Sequence, residues 1–526
     1  MALLDLDKAV ALNPGDADVH AARADALRDL RRPKEALAEY DAALRLDPSH
    51  QVALISRVYA RLELGDAKGA INDADRAVAL NPNDAYVVAA QGFVLEADGR
   101  LEEAAARYGV ASKLEPKDAS LHLGLARVRR GLGQYDQALA ALDIAETLDA
   151  KSPLVPYQRA LIWRDQGEFA KAVAQYDIAI SREPSAENYH MRGLAQAALK
   201  NHKAAQADFT KAFELDPRSI DSLTSRGVEE GELGMLDAQA RSFDQALALD
   251  PDNLDALLAR ADVLIGKDDM AGAALLYERA LKTHPHKPTL WFWLGETHRF
   301  RGDAAEALRL TDRGLKLDPK SQLGLKDRAT ALEQLGRPAD VIKVATTAVA
   351  LYPKDQEFLY LRAGALIRQG DLVGARKDLD LYLQLSPKAS GALTRRGEVH
   401  RAEGHYDLAR ADFDQALAVE PDAVRTLYDR GLLSMDEERY DRAIKDFNLA
   451  LTLTPGDPDI LAEKGETYRR MDDHLSAVET LDLAIKANPK LAFAWQVRSL
   501  AKQALGDAAG AAADMAEAKR LDPTIK

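Results

Sequence analysis

The chain contains 526 residues, carries a net charge of −14 at pH 7 and has no cysteine. The negative charge argues against nonspecific binding to nucleic acid or to an anionic membrane. The absence of cysteine excludes disulfides and thiol chemistry and leaves the redox compartment open. No stretch is apolar enough to span a bilayer, and the first residues include Asp5 and Asp7 without a basic flank, unlike a signal peptide. We therefore expect a cytoplasmic protein with no membrane insertion.

Residues 1–16 predict a single helix with no helical partner before it. Leu3 and Leu6 are expected to point toward the place where that partner would lie. Two interpretations are open: the start of the chain truncates a helix pair, or a second copy packs there and the protein self-associates through its N-terminal helix. At the other end, Lys519 in an alanine-rich last helix predicts a polar terminal cap.

From residue 17 onward the chain repeats one pattern, which is clearest over residues 390–421. A first helix carries Gly397 and ends at Gly404, because glycine readily adopts the left-handed conformation that terminates a helix. A second helix carries Phe413 among alanines, and Pro421 ends the unit because proline cannot continue a helix. The unit is therefore a helical hairpin in which one aromatic side chain fills the space that small residues leave.

The closing proline recurs every 34 residues, with two irregularities. Ala150 replaces one proline, and the spacing from Pro184 to Pro217 is 33. The fifteen closing prolines are Pro14, Pro48, Pro82, Pro116, Pro184, Pro217, Pro251, Pro285, Pro319, Pro353, Pro387, Pro421, Pro455, Pro489 and Pro523. A fixed period of about 34 residues in helical hairpins is the signature of a solenoid. We expect one continuous array of fifteen repeats, with repeats 1–4 in residues 17–152 and repeats 5–15 in residues 153–526.

The junction between repeats 4 and 5 departs most from the pattern. Glu146 stands where most repeats place an apolar residue that faces the next repeat. Pro153 and Pro156 both fall at the start of the following helix, and Pro156 is expected to delay that helix. Two interpretations stay open here: a local irregularity that the array tolerates, and a hinge.

Numbered from three residues after each closing proline, the repeats share small residues at fixed positions. Position 8 is glycine or alanine in thirteen repeats, and positions 20 and 27 are each alanine in thirteen, with Gly314 and Tyr382 departing at position 27. Trp291, Leu294 and Gly295 form the best match to a first-helix motif. On these residues the chain resembles a tetratricopeptide-repeat protein over essentially its whole length. The resemblance implies an all-α fold, an α-solenoid in which antiparallel helix pairs form a right-handed superhelix.

Position 7 is arginine in eleven repeats. Two interpretations are open. The row of cations forms a track for an acidic peptide or polyanion, or each arginine forms an ion pair inside its own hairpin. Seven of the eleven repeats have Asp or Glu at position 23, whereas the repeats with Gln91, Leu125 or Leu294 at position 7 have no acid there. This co-occurrence favours ion pairing across the hairpin.

No pattern in the sequence predicts a catalytic, cofactor or metal site. His284 and His286 flank a proline in a turn. His400 and His405 are five residues apart and straddle a helix end, so they do not share a face as ligands at i and i+4 would. Phosphate-binding loops and nucleophile motifs are absent. We interpret the many carboxylates as side chains on solvent-exposed helix faces. We expect no enzyme activity, no cofactor and no bound metal.

The resemblance also implies a concave groove lined by the first helices, mainly through positions 2, 5, 9 and 12. Here these positions vary between repeats and include aromatic residues and arginines, the types that dominate binding hot spots. The alternative is that several of them only pack. The candidate groove residues are Tyr59, Phe93, Tyr157, Phe292, Tyr360, Tyr428, Arg130, Arg164, Arg299, Arg401 and Arg469.

Together these features predict a non-catalytic scaffold that binds a peptide or protein ligand in its groove. Nucleic acid is not an expected partner, because no basic run accompanies the acidic balance. One rival interpretation is the repeat arm of a larger enzyme, such as a glycosyltransferase. A second rival is a structural protein that assembles with itself through its ends.

Overall fold

A computed structural model describes residues 2–525, so Met1 and Lys526, the end points of the predicted domains, lie outside the description, as does the side chain of Ala2. The described residues are helical throughout and form consecutive antiparallel pairs, as the repeat pattern predicts. None of these helices is long and apolar enough to cross a bilayer. The 31 helices are α1 Ala2–Leu12, α2 Ala17–Asp29, α3 Pro33–Leu46, α4 Gln51–Glu63, α5 Ala67–Leu80, α6 Ala85–Ala97, α7 Leu101–Leu114, α8 Ala119–Gly131, α9 Tyr135–Leu148, α10 Leu154–Asp165, α11 Phe169–Arg182, α12 Ala186–Ala198, α13 His202–Leu215, α14 Ile220–Glu232, α15 Leu236–Leu249, α16 Leu254–Gly266, α17 Met270–Thr283, α18 Pro288–Phe300, α19 Ala304–Leu317, α20 Gln322–Gln334, α21 Pro338–Leu351, α22 Gln356–Gln369, α23 Leu372–Leu385, α24 Ser390–Ala402, α25 Tyr406–Val419, α26 Val424–Asp436, α27 Tyr440–Leu453, α28 Pro458–Arg470, α29 His474–Ala487, α30 Ala492–Ala504 and α31 Ala508–Leu521.

The chain divides into two compact units, one ending at Val263 and one beginning at Leu264, so that the division falls within α16. The N-terminal unit contains α1 and the hairpins from α2–α3 to α14–α15. The C-terminal unit contains the hairpins from α18–α19 to α30–α31, preceded by α17. Each unit has its core between and within its own hairpins, as expected of a repeat array stabilised by neighbour contacts.

The predicted contact between a small residue and an aromatic ring is present in hairpins that carry phenylalanine at position 24, such as α24–α25. Phe413 on α25 is completely buried and lies against Gly397 on α24. A Cβ atom added at Gly397 would stand 2.5 Å from Cε1 of Phe413, closer than carbon atoms approach without displacement. Gly193 and Gly227 meet Phe209 and Phe243 in the same way. All four repeats with phenylalanine at position 24 have glycine at position 8, whereas Tyr40, Tyr176 and Tyr277 stand opposite alanines, so the close glycine contact accompanies phenylalanine at this position.

The arginine row is structural, which confirms the predicted pairing. The guanidinium of Arg396 donates from Nε and Nη2 to the two carboxylate oxygens of Asp412, at 2.8 and 2.7 Å. All seven arginines with an acid at position 23 pair with it. The pairs are Arg23–Glu39, Arg57–Asp73, Arg192–Asp208, Arg362–Asp378, Arg396–Asp412, Arg430–Asp446 and Arg498–Asp514.

The same arginines also reach into the preceding repeat, which the sequence pattern did not predict. Arg396 Nη1 donates to Asp380, at position 25 of repeat 11, over 2.9 Å. Arg260 and Arg328 have no acid at position 23 of their own repeats, and each pairs with the acid of the preceding repeat, Asp244 and Asp312 respectively. The arginines therefore bind neighbouring repeats to each other as well as closing single hairpins.

The junction of repeats 4 and 5 replaces an apolar contact by a charge cluster. Glu146 accepts hydrogen bonds from Arg159 on α10 and, at 3.0 Å, from Arg182 on α11. The helix α10 begins at Leu154, one residue later than the other first helices, and Pro156 lies in its first turn, where no intrahelical N–H bond is lost. The one-residue delay follows Pro153, which stands directly before the helix, so the prediction that Pro156 delays it is wrong, and the hinge stays a prediction.

We expect faster hydrogen exchange at this junction than at the junction of repeats 12 and 13, where Leu417 packs on an apolar core. Burial raises the pKa of Glu146, but the hydrogen bonds from Arg159 and Arg182 outweigh it and hold the pKa below its usual value. The ion pairs therefore stabilise the junction above the ordinary glutamate pKa of about 4.3, and the stabilisation is lost as the pH falls below it. Protection factors of the junction amides at two pH values, one above and one below this pKa, would measure the loss of stabilisation. Equal protection at the two junctions would refute the hinge.

The N-terminal helix only partly matches its prediction. Leu3 packs against the core that contains Ala21 and Leu27 of α2, and Leu6 is half-buried. The exposed apolar residues of α1 are instead Leu4 and Leu12. Self-association through this helix stays a prediction, with a different pair of leucines on the surface.

Candidate functional site

A pocket of about 490 Å³ opens between the first helices of repeats 2–5, in the N-terminal unit. We call it the aromatic pocket. Its apolar walls come from α4, α6, α8 and α10, which present corresponding positions because the repeats stack in register. The residues that form these walls are Ile55, Tyr59, Tyr86, Phe93, Leu123 and Leu154. Ser120, Arg127 and Gln158 provide polar groups at its edge.

Two of the predicted groove residues, Tyr59 and Phe93, form the centre of the aromatic pocket. Their ring centroids are 5.6 Å apart and the rings are inclined by 45°. Burial is the main cause that raises the pKa of Tyr59, so its phenol is neutral at physiological pH and can donate a hydrogen bond. The guanidinium groups of Arg28 and Arg127 each lie 5.8 Å from one of the two ring centroids. The two aromatic side chains are thus held at fixed positions while part of each ring faces the pocket.

The floor of the pocket is Tyr108, of which only 5% is exposed. Burial raises its pKa to about 12, and its hydroxyl accepts a hydrogen bond from Arg127 Nη2 at 3.2 Å. Gly124 on α8 makes room for this ring, since a Cβ atom there would stand 2.5 Å from Cε1 of Tyr108. The absence of a side chain at Gly124 therefore deepens the pocket.

The charge of the pocket is balanced internally. Arg127 donates from Nε and Nη2 to both carboxylate oxygens of Glu96, each over 2.7 Å. At the mouth, Tyr86 donates from its hydroxyl to Asp118 at 2.8 Å, and Leu154 is 54% exposed. Because its one cation is neutralised, the pocket suits an apolar side chain better than an anion.

A second pocket, of about 590 Å³, lies in the C-terminal unit and is polar. We call it the charged pocket. The guanidinium of Arg395 stacks on the ring of Tyr360, 4.0 Å from its centroid. Arg425 lies opposite and pairs with Asp429 at 2.7 Å and with Glu398 at 3.2 Å. Burial, with the charge of Glu398 beside it, raises the pKa of Asp429 to about 7.

The other predicted aromatic residues are dispersed. Tyr157 donates its hydroxyl to Glu187 and packs edge-on against Tyr176. Tyr428 is half-buried, with its ring centroid 6.1 Å from that of Phe447. Neither residue lines the aromatic or the charged pocket.

Phe292 corrects the prediction, because it is completely buried and presents no surface to a ligand. Its ring occupies the space beside Gly314 on α19 and Gly324 on α20, where an added Cβ atom would overlap it. Position 5 faces outward in most repeats, but two glycines here open a space in the core that draws the ring inward. In the sequence, Gly314 departs from the alanine that most repeats have at position 27. This departure is the sequence signal that the ring of Phe292 packs inward.

The five predicted groove arginines are all engaged in ion pairs with neighbouring acids. The shortest contacts are Arg130–Asp165 at 3.5 Å, Arg164–Asp165 at 3.1 Å, Arg299–Glu296 at 3.5 Å, Arg401–Asp436 at 2.6 Å and Arg469–Glu466 at 2.7 Å. An anionic ligand would have to compete with these carboxylates, so the arginines are weaker candidates than Tyr59 and Phe93.

Sequence reasoning missed the floor and edge of the aromatic pocket. Tyr108 belongs to a second helix, where the family resemblance places packing residues, and Leu154 follows the irregular start of repeat 5. Arg127 stands at position 9, which is one of the four groove positions. It was not chosen as a candidate, because the arginines chosen all stand at position 12. The signal for Tyr108 was Gly124 at position 6, where a missing side chain exposes the ring below.

Three solved structures are among those similar to this chain. A crystal structure of the APC/C hetero-tetramer Cut9–Hcn1 is 16% identical, covers 86% of this chain and 96% of that chain, and gives a TM-score of 0.44. A structure of Naa15/Naa10 bound to HypK-THB is 15% identical, covers 98% and 96%, and gives 0.39. The yeast Tom70 crystal structure is 17% identical, covers 74% and 96%, and gives 0.33. A comparison with curated protein sequences found no match.

Models of the tetratricopeptide repeat match most of the chain, in consecutive segments. The matched residues are 17–50, 95–161, 186–219, 232–288, 264–326, 326–390, 394–458 and 458–491. The segments 17–50, 186–219 and 458–491 each span one helical hairpin, the others span parts of several, and every family match along the chain is to this repeat. The chain therefore belongs to the tetratricopeptide-repeat family, whose repeats mediate protein–protein interactions.

Proposed function

We propose that this protein is a non-catalytic scaffold that binds a partner protein by taking up an apolar side chain of an extended or helical segment in the aromatic pocket. The observation that carries the proposal is the pair Tyr59 and Phe93, which stand over the fixed floor of Tyr108 with their rings partly exposed. Aromatic residues in a well-packed, concave setting are the usual anchors of binding energy.

The chemistry of the pocket suggests what the anchor is. Aromatic faces and the aliphatic groups of Ile55 and Leu123 favour a large apolar side chain, whose burial contributes roughly 25 cal/mol per Å². The half-buried Gln158 supplies an amide group that can bond to the ligand backbone. Since Arg127 is committed to Glu96, an acidic anchor would have to displace an existing ion pair. A leucine, phenylalanine or tryptophan anchor fits these constraints.

The experiment uses short random peptides displayed on phage and selected on the full chain. Selected peptides are then measured by fluorescence polarisation against the parent, Tyr59→Ala and Phe93→Ala. Each substitution is expected to weaken binding by roughly tenfold, since a hot-spot aromatic contributes about 1–2 kcal/mol or more. Helical content, measured by circular dichroism, should stay unchanged because both rings are only half-buried.

Phe300→Ala is the matched control, because Phe300 is a 59% exposed aromatic residue outside both pockets. Its removal should leave peptide binding unchanged. Peptides that bind the parent and both pocket variants with equal affinity would contradict the proposal.

A further inference from the structure

Three side chains that bind metal ions in other proteins converge at the turn of repeat 12. One ring nitrogen each of His400 and His405 and one carboxylate oxygen of Glu403 all lie within 4.8 Å of one another. Within residues 2–525 this is the one such group of three. Positions 11, 14 and 16 of the repeat supply the group, and no other repeat has three potential ligands there. It lies apart from the aromatic and charged pockets.

The turn brings together two histidines that sequence spacing alone had separated. Gly404 adopts a φ of +79°, a backbone conformation that residues with a side chain rarely adopt. This left-handed conformation reverses the chain directly after α24. The backbone N–H of His405 then donates to the carbonyl of His400 over 2.8 Å. As a result the imidazole of His405, at the start of α25, faces the imidazole of His400 at the end of α24, with ring centroids 6.0 Å apart.

Two of the three ligand atoms are buried and have no hydrogen-bond partner. His400 is only 7% exposed, and its Nδ1 atom is unpartnered. The Oε2 atom of Glu403 is likewise unpartnered, although this side chain is only 12% exposed. Leaving such groups unsatisfied costs free energy, and both atoms point at the place between the three side chains. They lie 3.9 Å apart, and Oε2 is 3.3 Å from Nδ1 of His405.

The separation between Glu403 and His405 matches a zinc ion, and the separation between His400 and Glu403 is slightly longer than such an ion requires. Two ligands at about 2.1 Å from a tetrahedral Zn²⁺ ion are about 3.4 Å from each other. The 3.9 Å between His400 and Glu403 must shorten for both to bind one ion, whereas the half-exposed ring of His405 can turn toward it. The second nitrogen of the His400 ring, Nε2, lies 3.8 Å from the carboxylate of Asp412. This carboxylate favours the tautomer of His400 with its proton on Nε2 and a lone pair on Nδ1.

We propose that His400, Glu403 and His405 bind a divalent transition-metal ion, of which Zn²⁺ is the best fit, at the turn between α24 and α25. Two imidazoles and one carboxylate are a ligand set that zinc uses with three protein ligands and one further position. Arg376, 3.6 Å from Glu403, partly offsets the negative charge and limits the affinity. A bound ion would clip the two helices of the hairpin together and leave the fourth position for water or a partner's side chain.

The test uses the full chain without an affinity tag, stripped with a chelator and titrated with ZnCl₂ in a calorimeter. We expect one ion per chain in the parent. His405→Gln should weaken the affinity by at least about tenfold, as expected for losing one ligand of three. This ring is half-exposed, so folding should be unaffected, and Glu403→Gln provides a second variant with the same expected loss. Titration with Co²⁺ should give visible absorption bands in the parent that both variants lack.

His298→Gln is the matched control, because His298 occupies the same position of repeat 9, where Arg301 stands in place of Glu403. This variant should bind zinc as the parent does. The proposal is overturned if the parent binds no zinc, or if His405→Gln and the parent bind it equally, which would indicate scattered surface histidines.

Discussion

Asp73→Ala is expected to lower the free energy of unfolding of the N-terminal unit by about 3–5 kcal/mol, because it removes the buried carboxylate that pairs with a buried cation. Asp73 is 2% exposed and Arg57 is 7% exposed. Arg57 donates to the two oxygens of Asp73 over 2.8 and 2.5 Å, and Arg61 approaches the same carboxylate to 3.0 Å. The substitution therefore removes the buried partner of two cations and leaves Arg57 paired only with Asp41 and Arg61 only with Asp66, at 3.7 Å.

Asp41→Ala is the matched control for this prediction. Asp41 accepts from the same guanidinium, Nη1 of Arg57, over 2.6 Å, but its side chain is 42% exposed. Loss of an exposed partner should cost only about 0–1 kcal/mol. Arg57→Met combined with Asp73→Leu should recover much of the loss, because a buried ion pair replaced by apolar residues is often neutral or stabilising.

Hydrogen exchange of α4 and α5 amides is the measurement, because a repeat array need not unfold as one cooperative unit. Equal losses for Asp73→Ala and Asp41→Ala would show that burial does not govern these pairs. In that case the arginine row would contribute no more than surface ion pairs do.

The arginine row shows how far a repeat pattern can predict contacts. Co-occurrence of arginine at position 7 and acid at position 23 predicted the pair inside each hairpin, because both residues vary together within a single repeat. The bond from Arg396 to Asp380 joins different repeats, and a comparison made repeat by repeat cannot detect it. The existence and order of the helices followed from the 34-residue period, since proline and glycine at fixed offsets act on the backbone locally.

The candidate site was less predictable, because pockets depend on which side chains are missing as well as on which are present. Tyr59 and Phe93 were predicted as groove residues, and the structure brings them together. Tyr108 forms the floor only because Gly124 has no side chain. The metal-ligand group likewise depends on Gly404, whose left-handed backbone reverses the chain within one residue and cancels the separation implied by a helical spacing.

Gly314→Ala is expected to destabilise the C-terminal unit by about 1–3 kcal/mol, although thirteen repeats carry alanine at this position. A Cβ atom there would lie 2.7 Å from Cδ1 and 3.0 Å from Cζ of Phe292, a ring with no exposed surface. The ring has little room to shift, because its Cε1 and Cζ atoms also lie against Gly324 on α20. A substitution that restores the family's usual residue should therefore act against this repeat.

Two further variants separate this overlap from the general effect of alanine in a helix. Gly109→Ala, in the interior of α7 with no atom within 4 Å of the new Cβ, should stabilise by about 0.4–1 kcal/mol through the unfolded state. Phe292→Leu removes the ring that Gly314 accommodates, so adding Gly314→Ala to it should cost much less than adding it to the parent. Hydrogen exchange of the amides in the substituted helices of the four variants measures the coupling, for the same reason as for Asp73→Ala. If Gly314→Ala is as stabilising as Gly109→Ala, the ring is not confined, and Phe292 could then turn outward to the groove face that its position in the repeat predicts.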